Sequence, residues 1–263
     1  MGERPLIAIQ GAMDGEIIAL LEAMLTYREE KVAQYSFFVG EIGTMPVVVS
    51  RTEIGMVNAA AATTLLIDKY RPDVIINQGT AGGHNPQLNV FDTIIGKEVI
   101  HINSFVSTHM EKGEGMSPET WVPMLTSMRE ENGKLMNVSL FESDSELVKI
   151  ALDLATGYSN GKVVEGRIGS ADFWNREIDR INWFHEKFHT SGEEMETYAV
   201  AQVAQAFDVP FLSIRTISNS EVTEEYVEDL DTAGRYCAEF SLLVAKAVYQ
   251  QQFVKDKLQK SQL

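Results

Sequence analysis

The chain is poor in the residues that support several common chemistries. It has one cysteine, Cys237, among 263 residues, so no internal disulfide can form and a reducing compartment is expected. Cys237 lies in Arg235-Tyr236-Cys237-Ala238-Glu239, which reads as mid-helix and lacks the His and Asn context of a thiol nucleophile; it is assigned to packing. The five histidines (His84, His101, His109, His185 and His189) have neither HExxH nor Cys/His spacing, so no metal site is expected. No apolar run approaches the ~20 residues that span a bilayer. The opening Met1-Gly2-Glu3-Arg4-Pro5 lacks the basic start and apolar core of a secretory signal. The expected location is cytoplasmic, with no membrane partner.

Positive charge is also scarce. Lys and Arg total 22 against 38 Asp and Glu, a formal charge of −16. So acidic a surface repels phosphate backbones, which excludes nucleic acid as an expected partner but not a small nucleoside in a local pocket.

What is present is a regular alternation of β-branched runs and amphipathic stretches. Strands are expected at residues 5–10, 35–39, 47–50, 72–77, 162–168 and 209–217, and helices at 16–24, 58–70, 194–207 and 232–251. Gly40 and Gly43 are expected to turn the chain between the second and third strands, and Gly79-Thr80-Ala81-Gly82-Gly83 to close the fourth. Such alternation predicts an α/β fold with a central, mostly parallel or mixed twisted sheet flanked by helices. No linker or repeat divides residues 1–263, so one domain is expected. Residues 101–143 have the weakest periodicity and read as a long irregular insertion.

Parallel sheets bind ligands beyond the carboxyl ends of their strands, and two glutamates fall there. Glu16 follows the first strand across Gly11-Ala12-Met13-Asp14-Gly15; alone, it reads first as an acid favoured by the helix dipole. On a helix starting at Glu194, Glu196 shares the apolar face with Ala199, Val200, Val203 and Phe207. Acids are rarely buried without a partner, so Glu196 is expected to have a hydrogen-bonding task, with Glu193 and Glu194 serving the helix dipole. Arg215, inside an apolar strand, calls for a carboxylate partner. The glycine run is neither a P-loop nor GxGxxG, and no cofactor is expected.

Four segments, taken together, resemble the 5'-methylthioadenosine/S-adenosylhomocysteine nucleosidases of the nucleoside phosphorylase/nucleosidase superfamily. Residues 9–16, Ile-Gln-Gly-Ala-Met-Asp-Gly-Glu, are similar to the family's IxGAMxxE. Residues 71–83 resemble its PDxIINxGSAGG segment, Glu194-Met195-Glu196 its EME motif, and residues 209–218 its VPFxxxRxIS segment. The resemblance covers roughly residues 5–100 and 160–250 and is weak between them. It implies hydrolysis of the N-glycosidic bond of a purine nucleoside by a homodimer. Position by position, it makes Glu16 the activator of water, with Met13 and Thr80 beside it in the substrate site. Met195 and Glu196 would hold the ribose, Ile54 would line the sugar side, and Phe173 and Trp174 would stack on the base. Arg215 would support the site through an ion pair. The loop from His101 to Trp121 would border the 5' substituent.

One departure stands out. The family's aspartate, which protonates the purine N7, is here Asn219. An amide can donate a hydrogen bond to N7 but cannot transfer a proton. The alternatives are impaired turnover through an introduced substitution, a different base preference, or an acid role for Glu221. Two further readings stay open: a phosphorylase, although Asn77 stands where those enzymes carry a phosphate-binding arginine and only Arg51 is in prospect, and a catalytically silent nucleoside-binding protein.

Overall fold

The computed structural model describes residues 4–130 and 132–260; the reading of Met1-Gly2-Glu3 lies outside them. The chain runs β1 (Ile7–Gly11), α1 (Asp14–Met24), β2 (Tyr27–Val32), β3 (Tyr35–Ile42), β4 (Met45–Arg51), α2 (Met56–Tyr70), β5 (Val74–Gly83) and β6 (Thr93–His101). Four short strands follow, β7 (Phe105–Val106), β8 (Val122–Pro123), β9 (Thr126–Arg129) and β10 (Leu135–Val138), then β11 (Phe141–Glu142) and α3 (Ser145–Asp153). The last third holds β12 (Val163–Ser170), α4 (Ile178–Phe188), β13 (Thr190–Glu194), α5 (Thr197–Ala206), β14 (Phe211–Ser220), β15 (Glu225–Tyr226) and α6 (Leu230–Lys260).

The main sheet is mixed and partly closed. β14 pairs in parallel with β5 and antiparallel with β6, while β12 joins β6 to β13 and β13 returns to β5. Five strands thus form a ring, and β1, β4, β3 and β2 extend from it as an arm. β1 and the first half of β5 are buried on both faces, which explains their unbroken apolar runs. One apolar cluster packs α1, α3 and α6 on one face, and a second packs α2 and α5 on the other. Cys237 is buried, its thiol 3.5 Å from the Ile214 carbonyl oxygen, and burial raises its pKa.

The structure corrects several expectations. The 79–83 glycine run is not a turn: β5 continues through it to Gly83. Its glycines allow close approach instead, since a Cβ on Gly79 would stand 2.5 Å from Glu16 Oε1. Gly40 lies inside β3, leaving Gly43, at φ +63°, as the turn residue. Glu194 ends a strand, and α5 begins at Thr197 with Glu196 at its N-cap. Strands β2, β6 and β13 and helices α3 and α4 were not anticipated. Residues 101–143 are, as expected, mostly irregular, with two short antiparallel ladders among the described residues, β7–β8 and β9–β10.

Candidate active site

At one end of the ring, β1, β5, β13 and β14 stop around an open-mouthed cavity of about 700 Å³, mouth included. Glu16 enters from the first turn of α1. Its Oε2 accepts the N–H groups of Ala12 (2.7 Å) and Met13 (3.1 Å). Its Oε1 accepts the N–H of Thr80 (2.8 Å) and the Thr80 hydroxyl (3.2 Å). Gln78 Nε2 donates to the Glu16 carbonyl at 2.7 Å, tying the α1 turn to β5. These bonds hold the Glu16 carboxyl group in a fixed orientation.

Glu196 reaches the same cavity across 180 residues of sequence. Its Oε1 accepts the Gly55 N–H at 2.8 Å. Burial, then the neighbouring Glu194, then Glu16 push its carboxyl up to about 8, against the pull of Arg215.

Arg215 does not line the cavity. It is buried behind it, with Nη2 2.8 Å from Glu194 Oε2 and 2.7 Å from Thr197 Oγ1. Glu194 Oε2 also accepts the N–H groups of Glu196 (2.9 Å) and Thr197 (2.8 Å). Glu194 therefore serves the start of α5 as expected, but from the end of a strand. Burial alone would raise its carboxyl; Arg215, with hydrogen bonds from Ser170 and Thr197, overrides this and holds it below its ordinary value. In this way the Arg215–Glu194 pair fixes the backbone that carries Glu196.

Met13, Ile54, Thr80 and Met195 line the cavity, as do Phe173, Trp174 and Asn219. Phe173 is 40% and Trp174 65% exposed, so the aromatic wall is open to solvent. Asn219 follows a register shift between Ile217 and Asn219 in the pairing with β5. Such a bulge re-aims a side chain; Asn219 lines the cavity, with Oδ1 accepting from Ser218 Oγ at 3.0 Å.

Three candidates fall outside this cavity. Arg51 is tied to Asp14 (2.6 Å) and Glu53 (2.8 Å). Glu221 borders an adjoining recess, where hydrogen bonds from Arg176 and Tyr226 lower its pKa, the opposite of what a proton donor needs. The loop from His101 to Trp121 contributes no lining residue; Phe105 is instead drawn into rings of Trp121, Trp183, Phe184 and Phe188.

Sequence reasoning missed Gly55, Asn175 and Glu193. The signal for Glu193 was the strand pattern of residues 190–194, in which adjacent side chains point to opposite faces. Glu194 turns to Arg215 while Glu193 faces the cavity.

Comparison with known proteins bears on this site. Residues 6–248 match the family model of the Phosphorylase superfamily. A 5'-methylthioadenosine/S-adenosylhomocysteine nucleosidase of Geobacillus sp. (strain WCH70) is 32% identical over 247 residues, covering 92% of this chain and 98% of the relative. The Neisseria meningitidis nucleosidase of that name, solved with methylthio-immucillin-A, is 27% identical with a TM-score of 0.74, covering 92% and 99% of the two chains. The Colwellia psychrerythraea enzyme, solved with adenine, is 26% identical with a TM-score of 0.74 over 93% and 96%. With its fold, its motifs and nearly its whole length matched, the chain belongs to the phosphorylase superfamily and, within it, to the 5'-methylthioadenosine/S-adenosylhomocysteine nucleosidases.

Proposed function

We propose that the chain hydrolyses the N-glycosidic bond of a purine nucleoside of the 5'-thioadenosine type. The observation that carries this reading is the convergence of Glu16 and Glu196 in one cavity at the strand ends. Departure of a purine builds oxocarbenium character on the sugar, as in glycoside hydrolysis, and nearby carboxylate charge stabilises it. Glu16, fixed by three backbone donors, orients and deprotonates the attacking water. Glu196, with Met195 beside it, accepts hydrogen bonds from the ribose hydroxyls, for which it must give up its proton. Ile54 covers the sugar, and Phe173 and Trp174 hold the base. At the far end, the Asn219 amide donates to N7.

Water is favoured over phosphate by the lining itself. It includes Glu16, Glu193, Glu194 and Glu196 but, among the described residues, no Lys or Arg. A dianion would enter such a cavity against its field.

A homodimer in the cytoplasm completes the reading. Exposed apolar residues near the mouth, Ile54 (51%) and Val57 (79%), support the dimer, and the single buried thiol is consistent with a reducing compartment. Among the described residues, no helix is long and apolar enough to cross a membrane.

The test is incubation with methylthioadenosine, S-adenosylhomocysteine and inosine, with and without phosphate. Free sugar and base should appear at the same rate in both buffers. Strict dependence on phosphate, with a sugar 1-phosphate as product, would establish the phosphorylase alternative.

A further inference from the structure

A departing purine takes the bonding electron pair and is a poor leaving group until one of its ring nitrogens is protonated. Asn219 cannot supply that proton. Among the described residues that line the cavity, the titratable side chains are Glu16, Glu193, Glu194 and Glu196. Glu194 is locked against Arg215. Glu16 and Glu196 are held by the backbone at the sugar end. Glu193 is left, and the sheet puts it at the base end. Gly82 pairs with Glu193 of β13 on one side and with Asn219 of β14 on the other. A Cβ on Gly82 would stand 3.6 Å from Asn219 Nδ2 and 3.7 Å from Glu193 Cγ. The two side chains therefore flank the same glycine in the cavity wall.

Behind Glu193 lies a histidine, 1% exposed. His84 Nε2 is 3.0 Å from Glu193 Oε2, close enough for an ion pair but outside hydrogen-bond alignment, so neither atom has a hydrogen-bond partner. His84 Nδ1 is 2.8 Å from Thr190 Oγ1, and the ring stacks on Phe184. Glu193 Oε1 accepts the Asn175 N–H at 3.1 Å. Unsatisfied buried polar atoms are costly, and these two are buried against each other behind Glu193, which itself lines the cavity.

We propose that Glu193, backed by His84, gives the departing purine its proton. The inference rests on reading the cavity as a nucleosidase site. The step needs one transferable proton on the Glu193 carboxyl, with the His84 imidazole 3.0 Å behind it. As the C1'–N9 bond breaks and its electron pair passes to the base, that proton moves from the Glu193 carboxyl to a ring nitrogen. Glu193 is left as a carboxylate beside His84. Water forms the new bond to C1' and loses a proton to Glu16. Both sites then exchange with solvent, so one water is consumed and one base released. Asn219 orients the base but transfers nothing, and His84 acts through Glu193 as a positioning residue.

Other charged groups surround the pair. Glu194 is next in the strand, and Asp172 accepts the Met56 N–H at the start of the loop. Arg176 is paired with Glu221, and Arg180 stacks on Phe173 and Phe184. His185 Nδ1 lies 2.7 Å from the Thr190 carbonyl oxygen.

The experiment compares methylthioadenosine with 6-chloropurine ribonucleoside, whose electron-poor base leaves with little help from an acid. Glu193→Gln should slow the first by ~10²-fold and the second by less than about tenfold. Adding Asn219→Asp to that variant should restore most of the lost rate. His84→Gln, with Glu193 intact, should shift or remove the alkaline limb of kcat/KM against pH. Equal losses on both substrates that Asn219→Asp does not relieve would make Glu193 a structural latch and overturn the proposal. So would an unaltered rate in Glu193→Gln. Circular dichroism and nucleoside binding check the fold; if Glu193→Gln does not fold, an unchanged pH profile in His84→Gln overturns the proposal independently. An unmodified protein that releases no base from either substrate overturns the nucleosidase reading itself, whereas normal release with insensitive variants overturns only the role of Glu193.

Discussion

At the proposed sugar end of the cavity, the carboxyl groups are gripped by backbone: Glu16 by Ala12, Met13 and Thr80, and Glu196 by Gly55. At the base end, His84 Nε2, Glu193 Oε2 and Asn175 Nδ2 are buried without hydrogen-bond partners. The sugar end is pre-organised, as catalysis by positioning requires. The proposed base end keeps unspent hydrogen-bonding capacity, and Asn219 lines the cavity there. The difference teaches that one end of this cavity is fixed by backbone hydrogen bonds while the other keeps buried polar atoms without hydrogen-bond partners.

The predictions press on that contrast, beginning with the largest effect. Glu16→Gln removes the proposed base for water and should lower kcat by ~10²–10⁴-fold while leaving nucleoside affinity, measured by calorimetry, nearly unchanged. Retained turnover would remove Glu16 from the mechanism. Next, Arg215→Met strips the counter-charge from buried Glu194 and should cost about 3–5 kcal/mol, read as a lower urea midpoint. Gly79→Ala places a Cβ 2.5 Å from Glu16 Oε1; the displaced carboxylate should cost ~10²-fold in rate with a smaller effect on the melting temperature. Smallest is Glu196→Gln, which should weaken nucleoside binding by about tenfold, as expected for one charged hydrogen bond.

Glu196 also predicts a pH dependence. Its folded pKa is raised from 4.5 to about 8. Stability from the buried neutral carboxyl is therefore fully present below 4.5 and is lost as pH rises through 8. The unliganded Glu196→Gln protein should be spared that loss, so its stability relative to the unmodified protein should rise between pH 6 and 9. Parallel melting curves across this range would refute the buried, protonated state.

Much of the sugar end was legible in the sequence, because its residues lie next to long apolar strands. Glu16 follows the run into Gln10, and Arg215 interrupts another buried strand, so both announce themselves by breaking a pattern. The base end was harder to read. Glu193 and Glu194 look like ordinary acids leading a helix, and only the short strand β13, paired to β12 and β5 across long sequence separations, gives them opposite faces. His84 looks like a loop residue until β5 is seen to run through its glycines. The closed ring is invisible for the same reason: it depends on β14 pairing with β5 and β6 at once, a tertiary choice that no local period encodes. The insertion at 101–143 was recognised as irregular, but its packing on α4 depends on the aromatic contacts of Phe105 with Trp183, Phe184 and Phe188.

The most direct measurement is a crystal structure of the Glu16→Gln protein holding methylthioadenosine. The account predicts the ribose hydroxyls on Glu196, the base against Phe173, and N7 within about 2.7–3.2 Å of Asn219 Nδ2. A nucleoside bound outside this cavity, or bound within it with the sugar toward Asn219, would contradict the account.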